Sequence, residues 1–149
     1  LSASLVATRL KDYKVDNGLT PVYNCVGLFG STCGVPAPKW RHKLRTTLQT
    51  PEGIGLSLQW RYFGKVKADS LSDNPSLSGP FVFDPGSRIK AQSYFDLATT
   101  FTFGDNYNFR LGVNNIFDKA PPLVTSGNAA RPGSNLCPTG PCNGNTYPA

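Results

Sequence analysis

Lys39, Arg41, Lys43 and Arg45 recur at every second position, and Arg61 takes the same parity in a neighbouring segment. Cations spaced by two project from one face of an extended chain. Such a stripe attracts anions, either a ligand or the acidic side chains of another domain, or it is simply a solvated face whose partners lie elsewhere. The chain carries 15 Lys and Arg against 9 Asp and Glu, a formal charge of +6, which also raises nucleic acid as a partner. Single-stranded nucleic acid requires rings interleaved with the cations. Here Trp40, Trp60 and Tyr62 take the opposite parity, so no nucleic-acid partner is expected.

Four cysteines fall in two close pairs, Cys25 with Cys33 and Cys137 with Cys142, each inside a loop-like segment. Neither spacing is Cys-x-x-Cys. The reading is two local disulfides that staple loops, formed in an oxidising compartment such as the periplasm or the cell exterior. A zinc site built from all four thiolates is the alternative, with little support from a single histidine. That histidine, His42, lies on the apolar parity near a strand end, where packing is its expected role. No serine sits in a Gly-x-Ser-x-Gly elbow, and the carboxylates are scattered through turns and loops. Catalysis needs a positioned acid, base or nucleophile. No such constellation is present, so neither an enzyme nor a cofactor is expected.

The elements that must hold these residues are strands. Residues 39–50 alternate, with Trp40, His42, Leu44, Thr46 and Leu48 on one face and the cations on the other. Residues 54–64 continue with Ile54, Leu56, Leu58, Trp60 and Tyr62 opposite Ser57, Gln59 and Arg61. Period-two alternation of this length predicts half-buried strands. A three-residue Pro51-Glu52-Gly53 turn sets Leu48 against Leu56, Leu44 against Trp60 and Lys43 against Arg61. Any one-residue slip would join apolar to polar faces.

A second hairpin follows the same logic. Residues 92–103 place Phe95, Leu97, Phe101 and Phe103 on one face and Tyr94, Asp96, Ala98, Thr100 and Thr102 on the other. Residues 107–117 place Tyr107, Phe109, Leu111, Val113 and Phe117 together. A Gly104-Asp105-Asn106 turn then faces Phe101 with Phe109 and Leu97 with Val113. Residues 2–13 predict a further strand of open parity: Leu1, Leu5 and Ala7 favour one face, Val6 and Leu10 the other.

Short turns at one end contrast with long connections at the other, through residues 14–38, 65–92 and 118 onward. These loops are rich in Gly, Pro, Asn and Ser, and would be floppy without the disulfides. The fold class expected is all-β, an antiparallel up-and-down meander of about five strands from a transmembrane β-barrel, with short periplasmic turns and long extracellular loops. Aromatic residues gather at both ends of the apolar face. Trp40, Trp60, Tyr62, Phe95 and Phe117 lie toward the long loops; Phe101, Phe103, Tyr107 and Phe109 lie toward the short turns. Two such girdles around a band about 25 Å tall mark the headgroup regions of an outer membrane. A cation near the bilayer midplane costs about 2–4 kcal/mol, so the stripe must face water, inside the barrel. A soluble β-sandwich would show the same alternation, but its connections are usually short at both ends.

One run of residues is more specific. Leu111 to Pro122 (LGVNNIFDKAPP) resembles the segment near the C-terminus of TonB-dependent outer-membrane receptors, where a strand ending in an Asn-Ile-Phe-Asp run meets a Pro-Pro loop. Cys25 to Cys33, then Pro36 to Arg45, then Trp60 to Gly64, resemble preceding loops and strands of that family in the expected order. The resemblance implies a barrel of about 22 strands around an N-terminal plug. It also implies import of a scarce nutrient, of the iron-siderophore, cobalamin or oligosaccharide class, energised by the TonB complex. The implied partners are outer-membrane lipid, the plug and remaining strands, TonB and a small-molecule ligand.

The chain departs from the family pattern in having no plug, no TonB-contacting box and no last strand ending in an aromatic residue. It starts at Leu1 without methionine and stops at Ala149. Residues 1–149 are therefore expected to be an excised piece of the barrel domain. The smallest membrane barrels use about eight strands, so this piece cannot close alone. The rival readings are a passive porin-type barrel and a soluble extracellular β-sandwich that binds glycans.

Overall fold

The computed structural model describes residues 1–30, 32–77, 87–104 and 107–122. In chain order the strands are β1 (Ser2–Arg9), β2 (Lys14–Val15), β3 (Tyr23–Asn24), β4 (Leu28–Phe29), β5 (Trp40–Gln49), β6 (Ile54–Phe63), β7 (Val66–Ala68), β8 (Arg88–Ile89), β9 (Gln92–Phe103) and β10 (Tyr107–Val113). The helical element among the described residues is a single 3₁₀ turn, Asp69–Leu71. The protein is all-β.

The five long strands form one antiparallel sheet in the order β1-β5-β6-β9-β10, so each pairs with its neighbours along the meander. The sheet is open: β1 and β10 each keep one edge unpaired among the described residues. The first hairpin has the register that alternation predicts, with Leu48 opposite Leu56, Leu44 opposite Trp60 and Lys43 opposite Arg61. At its turn Gly53 adopts φ 82°, a left-handed conformation that glycine accepts without a Cβ clash. The Gly53 carbonyl then accepts from the Thr102 N–H at 3.0 Å, which ties the turn to β9. In the second hairpin Phe101 faces Phe109 and Leu97 faces Val113, as expected. Asp105 and Asn106 of its turn lie outside the described residues.

Two strand ends differ from expectation. The first strand stops at Arg9 instead of running to 13, although the Leu10 N–H still donates to the Lys39 carbonyl at 3.0 Å. Its parity is now fixed: Leu5 pairs with Leu44 and Ala7 with His42, which leaves Val6 beside Lys43 on the polar side. The last strand stops at Val113 instead of 117, because Asn115 takes φ 53° and opens a turn in which Asp118 also takes a left-handed φ, 45°. Left-handed residues break a ladder, and Asn and Asp tolerate that conformation best.

The buried core does not lie on the sheet. One cluster gathers Phe29, Val66, Ile89 and Tyr94; a second gathers Tyr23, Cys25, Leu28, Cys33 and Leu77. Apart from Tyr94, all belong to the long connections. The described parts of two of them, residues 14–38 and 65–92, form their own lobe, a three-stranded sheet ordered β4-β7-β8 beside the β2-β3 pair; most of the third, from residue 123 onward, lies outside the described residues. Within the three-stranded sheet, β4 and β7 run parallel. Those two described segments are thus folded rather than merely stapled. The apolar face of the large sheet stays open, with Leu5 62%, Leu56 44%, Leu58 40%, Leu97 37% and Val113 58% exposed.

Candidate functional site

The polar face of the sheet is organised around one carboxylate. Asp96 on β9 is the register partner of Gln59 on β6, which puts Arg61, two residues further along β6, on the adjacent diagonal of the same face. Arg61 grips Asp96 through two hydrogen bonds, Nε to Oδ2 and Nη2 to Oδ1, both 2.8 Å. Gln59 Nε2 donates to Oδ2 at 3.0 Å, and the Asn115 N–H donates to Oδ1 at 2.9 Å. Both charged side chains are only 13% exposed. Forked pairing of this kind fixes geometry as well as charge.

The clamp also resolves a conflict within the stripe. Lys43 and Arg61 lie directly opposite each other, and like charges so placed repel. Asp96 neutralises Arg61. Arg45 extends the network by donating from Nη2 to Gln59 Oε1 at 2.8 Å. Arg41 and Lys43 remain exposed and make no ion pair among the described residues. Lys39 precedes β5, and its aliphatic stem passes Gly27, where an added Cβ would lie 3.4 Å from Lys39 Cε. Of the five expected cations, then, Arg61 is internally paired, Arg45 is positioned, and Arg41 and Lys43 are free.

A shallow groove of about 140 Å³ runs across this face, lined among others by Arg45, Gln59, Asp96, Arg110 and Asn114. Two arginines from β5 and β10 therefore flank a carboxylate–amide floor. This arrangement can hold a polar or anionic group by hydrogen bonds. It contains no nucleophile–base pair, and no cluster of metal-ligating side chains occurs among the described residues.

The residues after Val113 form the bracket that closes the clamp. Asn115 Nδ2 donates to the Lys119 carbonyl at 3.0 Å, and its Oδ1 accepts from the Lys119 N–H at 3.1 Å. The Ile116 N–H reaches the Phe95 carbonyl at 2.8 Å. The Asn-Asn-Ile-Phe-Asp-Lys run is thus a turn that locks β10 onto β9 through Asp96. Tyr94, 1% exposed, joins this region to the lobe. Its ring lies beneath the Arg61 guanidinium (5.5 Å) and the Lys119 ammonium (5.9 Å), and it packs on Phe63, while its hydroxyl finds no partner among the described residues.

At the long-loop end of the other face the expected aromatic residues form a continuous ladder. His42 stacks on Tyr62 at 5.0 Å and meets the edge of Trp60 at 4.6 Å; Trp60 stacks on Phe95 at 6.1 Å; Phe95 meets Phe117 at 5.6 Å. Trp40 Nε1 donates to His42 Nδ1 at 3.0 Å. At the short-turn end Phe103 meets Phe109 at 6.4 Å, with Tyr107 66% exposed and Phe101 packed between β6 and β10 by register.

In the lobe, Cys25 and Cys33 are joined by a disulfide. Asp69, which the sequence reading did not single out, is buried against this ring and accepts from the N–H groups of Thr32 (2.8 Å) and Cys33 (3.1 Å). A side chain at Gly30 would collide with that carboxylate. Cys137 and Cys142 lie outside the described residues. No family model, curated protein or solved structure matches the chain, so its fold and site rest on the geometry above.

Proposed function

We propose that this chain is part of the barrel of an outer-membrane receptor that binds a scarce nutrient and imports it with TonB energy coupling. The observation that supports the reading best is the two-sidedness of the large sheet. One face presents Leu, Val, Phe and an aromatic ladder without a covering layer among the described residues; the other presents a hydrogen-bonded arginine–aspartate clamp and free cations. Lipid on one side and a wet lumen on the other satisfy both faces at once. A sandwich that binds glycans would need a second sheet over Leu56, Leu58 and Leu97. The lobe offers its residues to its own core instead.

In this reading the disulfide-braced lobe is the extracellular mouth, where ligand is first captured, and Arg41, Lys43, Arg45 and Arg110 line the passage beneath it. Further strands of the same protein close the barrel, and a plug fills it. Fractionation of the full-length protein tests the first step: it is expected in outer-membrane fractions, with faster gel migration before heating than after. Uptake of the ligand is then expected to stop when the energy-coupling complex is deleted. Recovery in the soluble periplasmic fraction overturns the barrel; uptake that persists without coupling identifies a passive pore instead.

A further inference from the structure

The apolar face carries one permanently charged residue in its described strands. By register, Ala3, Leu5, Ala7 and Arg9 share a face with Thr46, Leu44, His42 and Trp40. The corresponding residues of β6, β9 and β10 are likewise uncharged. Arg9 is opposite Trp40, at the long-loop end, level with the start of the His42–Trp60–Tyr62 ladder. It is exposed and makes no ion pair among the described residues. The carboxylate nearest in sequence, Asp12, instead accepts from Asn24 Nδ2 at 3.3 Å. Lys11, two residues on, is also exposed and makes no ion pair among the described residues.

A cation on a lipid-facing strand is tolerated only near the interface, where it can meet a headgroup. An aromatic row at the same level fixes that depth. We propose that Arg9, supported by Lys11 and seated beside Trp40, binds the phosphate of an anionic lipid headgroup at the outer rim of the membrane. This site rests on the bilayer reading above. The guanidinium supplies forked donors that match phosphate oxygens, and the indole sets the height at which they sit.

The test uses the full-length protein in phosphatidylcholine vesicles doped with lipids brominated on their acyl chains, which quench nearby tryptophan. Subtracting the signal of a Trp40→Phe variant isolates Trp40. At equal mole fraction, brominated phosphatidylglycerol is expected to occupy the site about five-fold more than brominated phosphatidylcholine, the attraction of roughly one cation for an anionic surface. Arg9→Gln is expected to lose that preference, Arg9→Lys to keep part of it, and inorganic phosphate at millimolar levels to leave it unchanged. Equal quenching by the two lipids overturns the headgroup site while leaving the bilayer reading intact. Quenching by neither overturns the bilayer reading itself. A preference that survives in Arg9→Gln, or that inorganic phosphate abolishes, also overturns the proposal. If Arg9→Gln fails to fold, the two-lipid comparison on the unaltered protein still decides.

Discussion

The lobe and the large sheet draw on the same residue types and treat them in opposite ways. In the lobe, Phe29, Val66 and Ile89 are 3–5% exposed, although they come from three short strands that are far apart in sequence. In the sheet, residues with equal appetite for burial stay open: Leu5 at 62%, Leu111 at 64%, Val113 at 58%. Burying one such side chain fully is worth about 1.5–3 kcal/mol. The lobe obtains this from its own segments; the described residues do not supply it to the sheet. Short strands crossing at several angles can enclose a core, whereas a single layer cannot cover itself. The polar side of the sheet shows the converse, since there the chain does satisfy itself, around Asp96.

The largest expected effect tests that internal satisfaction. Asp96→Ala leaves Arg61 nearly buried and unpaired and removes the acceptor for Asn115, which should cost about 3–5 kcal/mol. The denaturant midpoint of the folded full-length protein checks this, and Arg61→Leu combined with Asp96→Leu should recover much of the loss. Leu58→Arg asks what covers the open face. Leu58 sits midway between Ile54 and Tyr62 on β6, so in a bilayer the substitution should cost about 2–4 kcal/mol. Lys43→Gln on the opposite face should stay within about 0.5 kcal/mol. Equal, negligible costs would mean that water meets both faces.

Replacing Cys25 and Cys33 by serine is expected to weaken the lobe by about 2–3 kcal/mol, since a short ring is opened in its unfolded state. Hydrogen exchange should rise across residues 23–33 and 66–71 and stay unchanged in β5 and β6. Matched loss in the strands would show that lobe and sheet form one cooperative unit. The smallest effect concerns Tyr94→Phe. Its hydroxyl is buried without a partner among the described residues, so deletion should be neutral or stabilising by up to about 1 kcal/mol, again by denaturant midpoint. A clear destabilisation would reveal a hydrogen bond from the lobe to that oxygen.

Much of the sheet was legible because its turns are short. Between Leu48 and Leu56 a three-residue loop leaves one register that keeps like faces together. Between β6 and β9 the connection is long, and a flexible chain of that length imposes no register. The pairing of Gln59 with Asp96, and with it the clamp on Arg61, is therefore not legible in the sequence, although alternation puts both residues on polar faces. Asp69 escaped notice for a similar reason: its partners, Thr32 and Cys33, lie 37 and 36 residues away. The apolar parity of Phe117 predicts strand through the Asn115 turn, because parity carries no information about φ.

Alternation, turn chemistry and the placement of rings and cations determined, from sequence alone, five antiparallel strands with one greasy and one charged face. Those are properties of neighbours two residues apart or joined by a tight turn. Which carboxylate holds Arg61, and that the described loop segments fold into a lobe with its own core, were decided only in three dimensions. Each depends on segments brought together across tens of residues, where packing rather than local periodicity selects the partner.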